Sequence, residues 1–387
     1  MPVINRVADL AEEVAAWRRD FHEHPELLYE VHRTAGVVAD RLAAFGVDEV
    51  VTGLGRTGVV GVIKGRSDGS GKVIGLRADM DALPIEEATD VPYRSGTPGV
   101  MHACGHDGHT AMLLGAAKYL AETRNFDGTA VVIFQPAEEG GAGARAMMDD
   151  GLLDRFAVQE VYGLHNMPGI PVGAFAIRPG PMMAAADRFT IHIEGKGGHA
   201  ARPHECVDTV VVAAHLIQAL QTVVARNVDP LESAVVTTGA VKAGDTFNVI
   251  PQNATLLGTV RTLTENVRDH CEERIRAIAQ DLPPVFGATG TIEYNRGYPV
   301  TRNHPDQTRF MAEVATGVGA SVDTGVAPLM GSEDFAFMLE ERPGAYIFMG
   351  NGDTAGVHHP AYDFNDAAIP YGMSLWAKIV ETGMPAR

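Results

Sequence analysis

From Val3 to Phe21, apolar side chains return every three or four positions (Val3, Val7, Leu10, Val14, Trp17, Phe21), with Glu12, Glu13, Arg18 and Arg19 in the gaps. That period predicts an amphipathic helix ending near Pro25. A second helix is expected over residues 34–45, with Gly46 just past its end. The pattern then shortens to β-type runs at 58–63 and 72–77, parted by a glycine-rich turn at 67–71. Residues 129–135, 158–164 and 345–350 read as further strands, and 111–120 as an apolar helix.

The middle of the chain differs. An alternating strand at 188–193 is followed by a helix at 208–224, strands at 233–239 and 254–262, a helix at 267–281 and a strand at 290–294. Strand, helix, strand, strand, helix, strand is the order of a ferredoxin-like α+β domain. It is expected to occupy 185–295 as an insert in a discontinuous α/β domain made of 1–184 and 296–387. A chain of 387 residues is also too long for one comfortable core.

Charge narrows the partners. A formal net charge of −18 excludes nucleic acid and anionic membrane surfaces, and any anionic substrate needs a local arginine. Three widely spaced cysteines, Cys104, Cys206 and Cys271, form no disulfide framework and point to a reducing cytoplasm. The start, Met1-Pro2-Val3-Ile4-Asn5, lacks the basic and apolar regions of a signal peptide, and no apolar run is read as long enough to cross a bilayer.

The candidate chemistry concentrates in residues 101–110, MHACGHDGHT, which hold one thiol, three imidazoles and a carboxylate. Gly105 and Gly108 permit an irregular backbone on which Cys104 and His106 could face one point. Thiolate and imidazole suit a borderline metal such as zinc. The plainer alternative is a polar turn capping a helix, with Cys104 buried as a small hydrophobe. Other candidates follow strand ends: Asp79 and Asp81, Glu138 and Glu139, His165, and the pair His358-His359. In open α/β sheets ligands bind at the carboxyl ends of strands, so these could converge. His22 and His24, at a helix end, read as caps or surface residues.

These segments resemble the aminoacylase, carboxypeptidase G and hippurate hydrolase superfamily of metal-dependent amidohydrolases. The likeness is greatest to the hippurate hydrolase branch, which includes the plant auxin-conjugate amidohydrolases. It rests on RRDFHEHPEL at 18–27, RADMDALP at 77–84, the cluster at 101–110, QPAEE at 135–139, GHAARP at 198–203, GSEDF at 331–335 and HHPAYDFND at 358–366.

The resemblance implies a zinc-peptidase-like mixed-sheet catalytic domain, with the insert serving as lid and dimerisation domain. It implies two divalent ions (zinc or manganese, with cobalt or nickel able to substitute) held by Cys104, His106, Glu139, His165 and His358. The family's His-x-Pro spacing selects His358 over His359. Glu138 matches the general base that takes a proton from metal-activated water, and Asp79 and Asp81 match residues that orient ligands. His199 would reach the partner subunit's active site in a homodimer and hold the oxyanion. Arg261 would clamp the substrate carboxylate with Asn248 as a polar helper, although from the residues alone a turn histidine and a surface salt bridge are equally good descriptions of His199 and Arg261. The implied reaction is hydrolysis of N-acyl-L-amino acids. Two other readings stay open: a cysteine hydrolase with Cys104 as nucleophile, and a non-catalytic N-acyl-amino-acid binder.

Overall fold

The computed structural model describes residues 3–319 and 321–386; residues 1, 2, 320 and 387, part of the expected discontinuous domain, lie outside these. Along the chain come α1 (Asn5–Glu23), α2 (His32–Ala44), β1 (Glu49–Leu54), β2 (Gly58–Lys64), β3 (Val73–Asp79), α3 (His106–Thr123) and β4 (Thr129–Gln135). The short helices α4 (Gly143–Asp149) and α5 (Leu152–Arg155) precede β5 (Glu160–Pro168), β6 (Ala174–Ala176) and β7 (Gly180–Met183). Next are β8 (Ala185–Glu194), β9 (Gly198–His199), α6 (Thr209–Thr222), β10 (Ala234–Ala243), β11 (Val249–Ile250), β12 (Asn253–Thr262), α7 (Glu265–Asp281) and β13 (Thr289–Arg296). The chain finishes with β14 (Thr301–Asn303), α8 (Pro305–Val318), β15 (Ser321–Asp323), α9 (Ala336–Glu341), β16 (Gly344–Gly352) and α10 (Ile369–Gly383).

The larger unit comprises Met1–Met182, Arg302–Ala327 and Asp334–Arg387. Its sheet has the order β1-β2-β4-β3-β5-β16-β6-β15. The sheet is mixed: β3 runs parallel to β4 and β5, and β5 to β16, while β1–β2, β2–β4 and β16–β6 are antiparallel. Central strands such as β4 are buried almost throughout, as strands covered on both faces must be. The stripe read from α1 faces the core, with Val7, Leu10, Val14, Trp17 and Phe21 all buried. The parallel strands deliver their carboxyl ends to one edge, where Asp79 stands opposite Gln135, and His165 opposite Phe348.

Two sequence expectations change here. α3 begins at His106, five residues before the apolar run, so His106, Asp107 and His109 ride on its first turn. Its first turn, HDGHT, is polar yet buried, so no apolar period marks where it starts. His165 and Asn166 lie inside β5 rather than after it.

The insert unit comprises Met183–Thr301 and Pro328–Glu333. Its antiparallel sheet has the ferredoxin-like order β10-β12-β8-β13, and α6 and α7 supply buried residues such as Leu216 and Ile275 to its core. Residues 183–184, 296–301 and 328–333, expected with the catalytic domain, group with the insert. The reason is local: Gly297 N–H donates to Ala186 O at 3.0 Å, and Ala184 N–H to Leu329 O and Gly331 O at 3.0 and 2.8 Å. A further change concerns α6. With the turn that continues it, Thr209–Asn227 is long and apolar enough by length and composition to cross a membrane, contrary to the expectation. In the structure one face, with Val212, Ala213, Leu216 and Leu220, is buried in the insert core, while Val210, Val211 and Val224 are exposed.

Candidate metal centre

The cluster is shaped by what passes beside it. Met101 and Leu83 exchange backbone hydrogen bonds at 3.0 Å, aligning 101–104 with the end of β3. Gly105 then turns at φ 84, left-handed backbone that suits glycine. A Cβ there would also collide with Asn166 Nδ2 and Tyr362 Oη. Gly108, expected to serve the same irregular backbone, is instead helical; it is small because the Phe364 ring packs against it.

Two triads share one sulfur. Cys104, His106 and His165 bring ligand atoms within 4.8 Å of one another, and so do Cys104, Glu139 and His358. A third group, His106, Glu138 and Glu139, adjoins them. Cys104 Sγ is 3.3 Å from His165 Nε2, and His358 Nε2 is 3.3 Å from Glu139 Oε1. Cys104, His106, Glu138 and His165 are buried, Glu139 half-buried and His358 exposed. His359 turns away into an exposed bend, where its Nδ1 accepts the Ala361 N–H at 3.0 Å.

The imidazoles are already oriented as ligands. His106 Nδ1 donates to the Asp81 carbonyl at 2.8 Å, and its buried Nε2 has no hydrogen-bond partner. His165 Nδ1 donates to the Asn166 carbonyl at 2.6 Å and turns Nε2 toward Cys104. His109, close to Asp79 and His106, is otherwise committed. Its Nδ1 is 2.7 Å from Asp79 and its Nε2 accepts the Asn166 N–H at 2.9 Å, so both nitrogens are in use.

Asp81 sets the glutamate pair. Its two oxygens accept the N–H of Glu138 at 3.0 Å and of Glu139 at 3.1 Å. Ala137, at φ 55, turns the chain sharply into that bend. Asp79 is held by Arg77 at 2.6 Å, and Arg77 also binds Gln135 at 2.8 Å and Asp334 at 2.9 Å. The Asp334 N–H donates to Glu138 Oε1 at 3.4 Å. Asp334 belongs to the GSEDF segment, which carried the resemblance without any stated role. His358, at φ 65, is tied down by its N–H donating to Ala103 O at 2.7 Å.

The local field favours cations. Burial opposes charge on His106, yet Asp79 and Cys104 hold its pKa well above the ordinary value. Hydrogen bonds to Cys104 and then Glu139 push His358 up to about 10. Burial, then the charge of Glu139, pushes the Cys104 thiol up, so a cation is needed to hold it as thiolate. Glu139 is lowered despite burial, by His358 and by the charge of His106. Burial, then His109, lowers His165 to about 3. A shared sulfur, a carboxylate and three imidazoles, one of them His106 with its Nε2 unpartnered, fit two divalent ions.

The other candidates lie in the insert. His199, exposed on β9, pairs with Val249 of β11, and the Ala200 N–H donates to Asn248 O at 3.1 Å, so His199 and Asn248 share one ribbon. Arg261, half-buried on β12, donates to the Thr259 hydroxyl and to the Val260 carbonyl at 3.1 Å, and makes no ion pair among the described residues. Arg188 of β8, not singled out from sequence, stands opposite Thr259; burial and then its charge lower the Arg261 pKa. His22 proves neither cap nor surface residue. It is buried, 2.8 Å from Asp107 and 3.3 Å from Glu87. His24 is exposed, with Nδ1 2.9 Å from Asp20 O.

A family model for "Peptidase family M20/M25/M40" matches residues 75–382. A hippurate hydrolase from Campylobacter jejuni is 44% identical over 382 residues, 98% of each chain. An N-acetyl-L-cysteine deacetylase from Bacillus subtilis is 42% identical over 94% of this chain and 86% of its own. The crystal structure of the Bacillus subtilis YXEP protein, described as a dinuclear metal binding peptidase from the M20 family, superposes with a TM-score of 0.85 at 35% identity, covering 98% of this chain and all of its own.

Proposed function

The chain belongs to peptidase family M20/M25/M40, and from that premise we propose that it is a metal-dependent amidohydrolase of N-acyl-L-amino acids with Glu138 as general base. The observation that carries the reading is one buried thiol shared by two ligand triads, with Glu138 in the adjoining group. Cys104, His106 and His165 would hold one ion, and Cys104, Glu139 and His358 the other. When bound, such ions lower the pKa of water from about 16 toward 7 and polarise a carbonyl.

The chain's own residues do the rest. Glu138 accepts the proton of the attacking water as its oxygen bonds to the acyl carbon, and returns it to the amine nitrogen as the C–N bond breaks. Asp81 aims Glu138 and Glu139 through their backbone N–H groups, and Arg77 with Asp334 backs the same loop. His199 stabilises the oxyanion, from the partner subunit, and Arg261 binds the substrate carboxylate through its planar fork, with Asn248 assisting. A hydrolase of hippurate and a deacetylase of N-acetylcysteine among the relatives support small N-acyl amino acids as the substrate class.

The mixed sulfur, nitrogen and oxygen donor set supports zinc or manganese, with cobalt or nickel as working substitutes. A homodimer is supported by two features of the insert: β10 is an edge strand, and α6 with the turn that continues it exposes Val210, Val211 and Val224. The net charge of −18 supports the absence of nucleic-acid and membrane partners, and three free thiols support the cytoplasm. Chelation followed by stepwise return of zinc or manganese tests the central reading. Release of benzoate from hippurate, or acetate from N-acetyl amino acids, should vanish and return with the second ion. Turnover in fully metal-free protein would refute the reading in favour of a Cys104 nucleophile, and no release under any metal would favour the binding protein.

A further inference from the structure

The insert's sheet has one face that α6 and α7 leave open. Phe189, Ile191 and Val260 turn to the helices and are buried in the insert core. Arg188, Thr190, Thr259 and Arg261 hold the alternate positions on β8 and β12 and turn the other way, with Arg188 exposed. Register sets Arg188 opposite Thr259 and Arg261 opposite Ala186. The two arginines are therefore diagonal neighbours on one face, within reach of each other for side chains of this length. The lowering of the Arg261 pKa, by burial and then by the charge of Arg188, agrees with that closeness.

Neither arginine has an acid. Neither makes an ion pair among the described residues, although the chain carries 49 acids against 31 lysines and arginines. The cross-strand partners of Arg188 are Thr259 and Asn295, both neutral. Glu293, the nearest acid on this face by register, is 3.9 Å from His192 instead. Arg261 spends Nη1 on the Thr259 hydroxyl and the Val260 carbonyl, while its Nε and Nη2 bond nothing among the described residues. Two guanidinium groups this close repel, so an uncompensated pair suits an anion with two negative charges.

We propose that Arg188 is a specificity-determining residue that binds a second carboxylate on the substrate, so that the preferred substrates are N-acyl derivatives of aspartate and glutamate. That carboxylate belongs to the amino-acid side chain and not to the acyl group. Arg261 holds the α-carboxylate, and the side chain leaves from the same carbon, toward a neighbour of Arg261. The acyl group lies across the amide that must face the metal ions. This rests on the reading of Arg261 as the substrate clamp given above.

The test is steady-state kinetics of the full-length, metal-loaded protein on N-acetyl-L-glutamate and N-acetyl-L-glutamine, which match in shape and differ in charge. Wild type should favour glutamate by about 10–100-fold in kcat/KM, the worth of one charge-assisted contact. Arg188→Ala should remove that preference by raising KM for glutamate, with kcat little changed. Arg188→Glu should reverse it and favour Nα-acetyl-L-lysine over N-acetyl-L-glutamate, which a merely structural role would not do. Arg188 is exposed, so both variants should fold. Equal kcat/KM on glutamate and glutamine in wild type, or a glutamate preference that survives in Arg188→Ala, would overturn the proposal. So would a wild-type preference for N-succinyl-L-glutamine over N-acetyl-L-glutamate, which puts the second charge on the acyl side. Arg261→Ala assayed on N-acetyl-L-glutamine separates these outcomes from failure of the clamp. If its KM is unchanged, the clamp reading is wrong and the proposal goes with it; if its KM rises while Arg188→Ala keeps the glutamate preference, only the role of Arg188 is wrong.

Discussion

Asp81→Asn is a change of one atom type at a fully buried side chain, and the geometry sets its consequence. The carboxylate accepts the Glu138 N–H at 3.0 Å on one oxygen and the Glu139 N–H at 3.1 Å on the other. Hydrogen bonds to a charged group contribute about 1.5–3 kcal/mol each. An amide keeps one oxygen, now neutral, so one bond weakens by roughly half. The other backbone N–H then faces an NH2 donor and is left unsatisfied, which costs about 1–3 kcal/mol more. The local penalty is therefore roughly 3–4 kcal/mol, and the loop can relieve it only by moving both glutamates. Moved glutamates mean a misaimed base and a weakened ligand. At about 1.4 kcal/mol per tenfold, kcat/KM on hippurate should fall roughly several hundred-fold. Metal analysis of the same preparation should show the ion held through Glu139 weakened, while the other survives. The Asp81 carbonyl that orients His106 belongs to the backbone and is unaffected. A variant with a lowered melting temperature but wild-type kcat/KM and two tightly bound ions would show that Asp81 is merely structural, and the reasoning would fail.

Glu138→Gln should keep both ions, because Asp81 still anchors the backbone, while turnover drops about 10²–10⁴-fold; metal content and single-turnover rates measured together check it. Arg261→Ala should raise KM for N-acyl amino acids by about tenfold or more, yet leave hydrolysis of the matching N-acyl amine, which lacks the carboxylate, unchanged; equal KM on both would discard the clamp. His22 supplies a pH dependence in stability. Burial works against its charge, but hydrogen bonds to Asp107 and Glu87 outweigh that and raise its pKa from 6.5 to about 9. A folded pKa above the unfolded one gives stability fully present below about pH 6.5 and lost as pH climbs through 9, on the order of 3 kcal/mol for this buried ring. Urea melts of wild type and His22→Gln should thus differ most near pH 6 and converge above pH 9; a gap that widens with pH would contradict the pairing.

Much of this was legible in one dimension because periodicity and strand ends are local properties. Alternation and apolar runs identified the central strands of the sheet, and the order of elements in the insert led directly to its topology. The acids and imidazoles that follow those strands had to gather at one edge once the strands ran parallel. Fixed short spacing made the Cys104–His106 pair readable in the same way. Where a neighbour along the chain carries the information, sequence is enough.

The remainder depended on contacts between residues far apart in the chain. Nothing local separates His106 from His109: both sit on the first turn of one helix, and only Asn166 and Asp79, brought in by β5 and β3, occupy both nitrogens of the second. His358 and His359 are likewise adjacent, and the reach of one to Glu139 is decided by the tie of its backbone to Ala103. Gly108 owes its size to Phe364, and His22 its burial to Asp107 and Glu87. A hydrogen bond is short and directional, so which atom a side chain offers to a metal is known only when its other partners are in position. The amino-acid order determined the elements and the kinds of donors; the packed fold determined which lone pairs were left over.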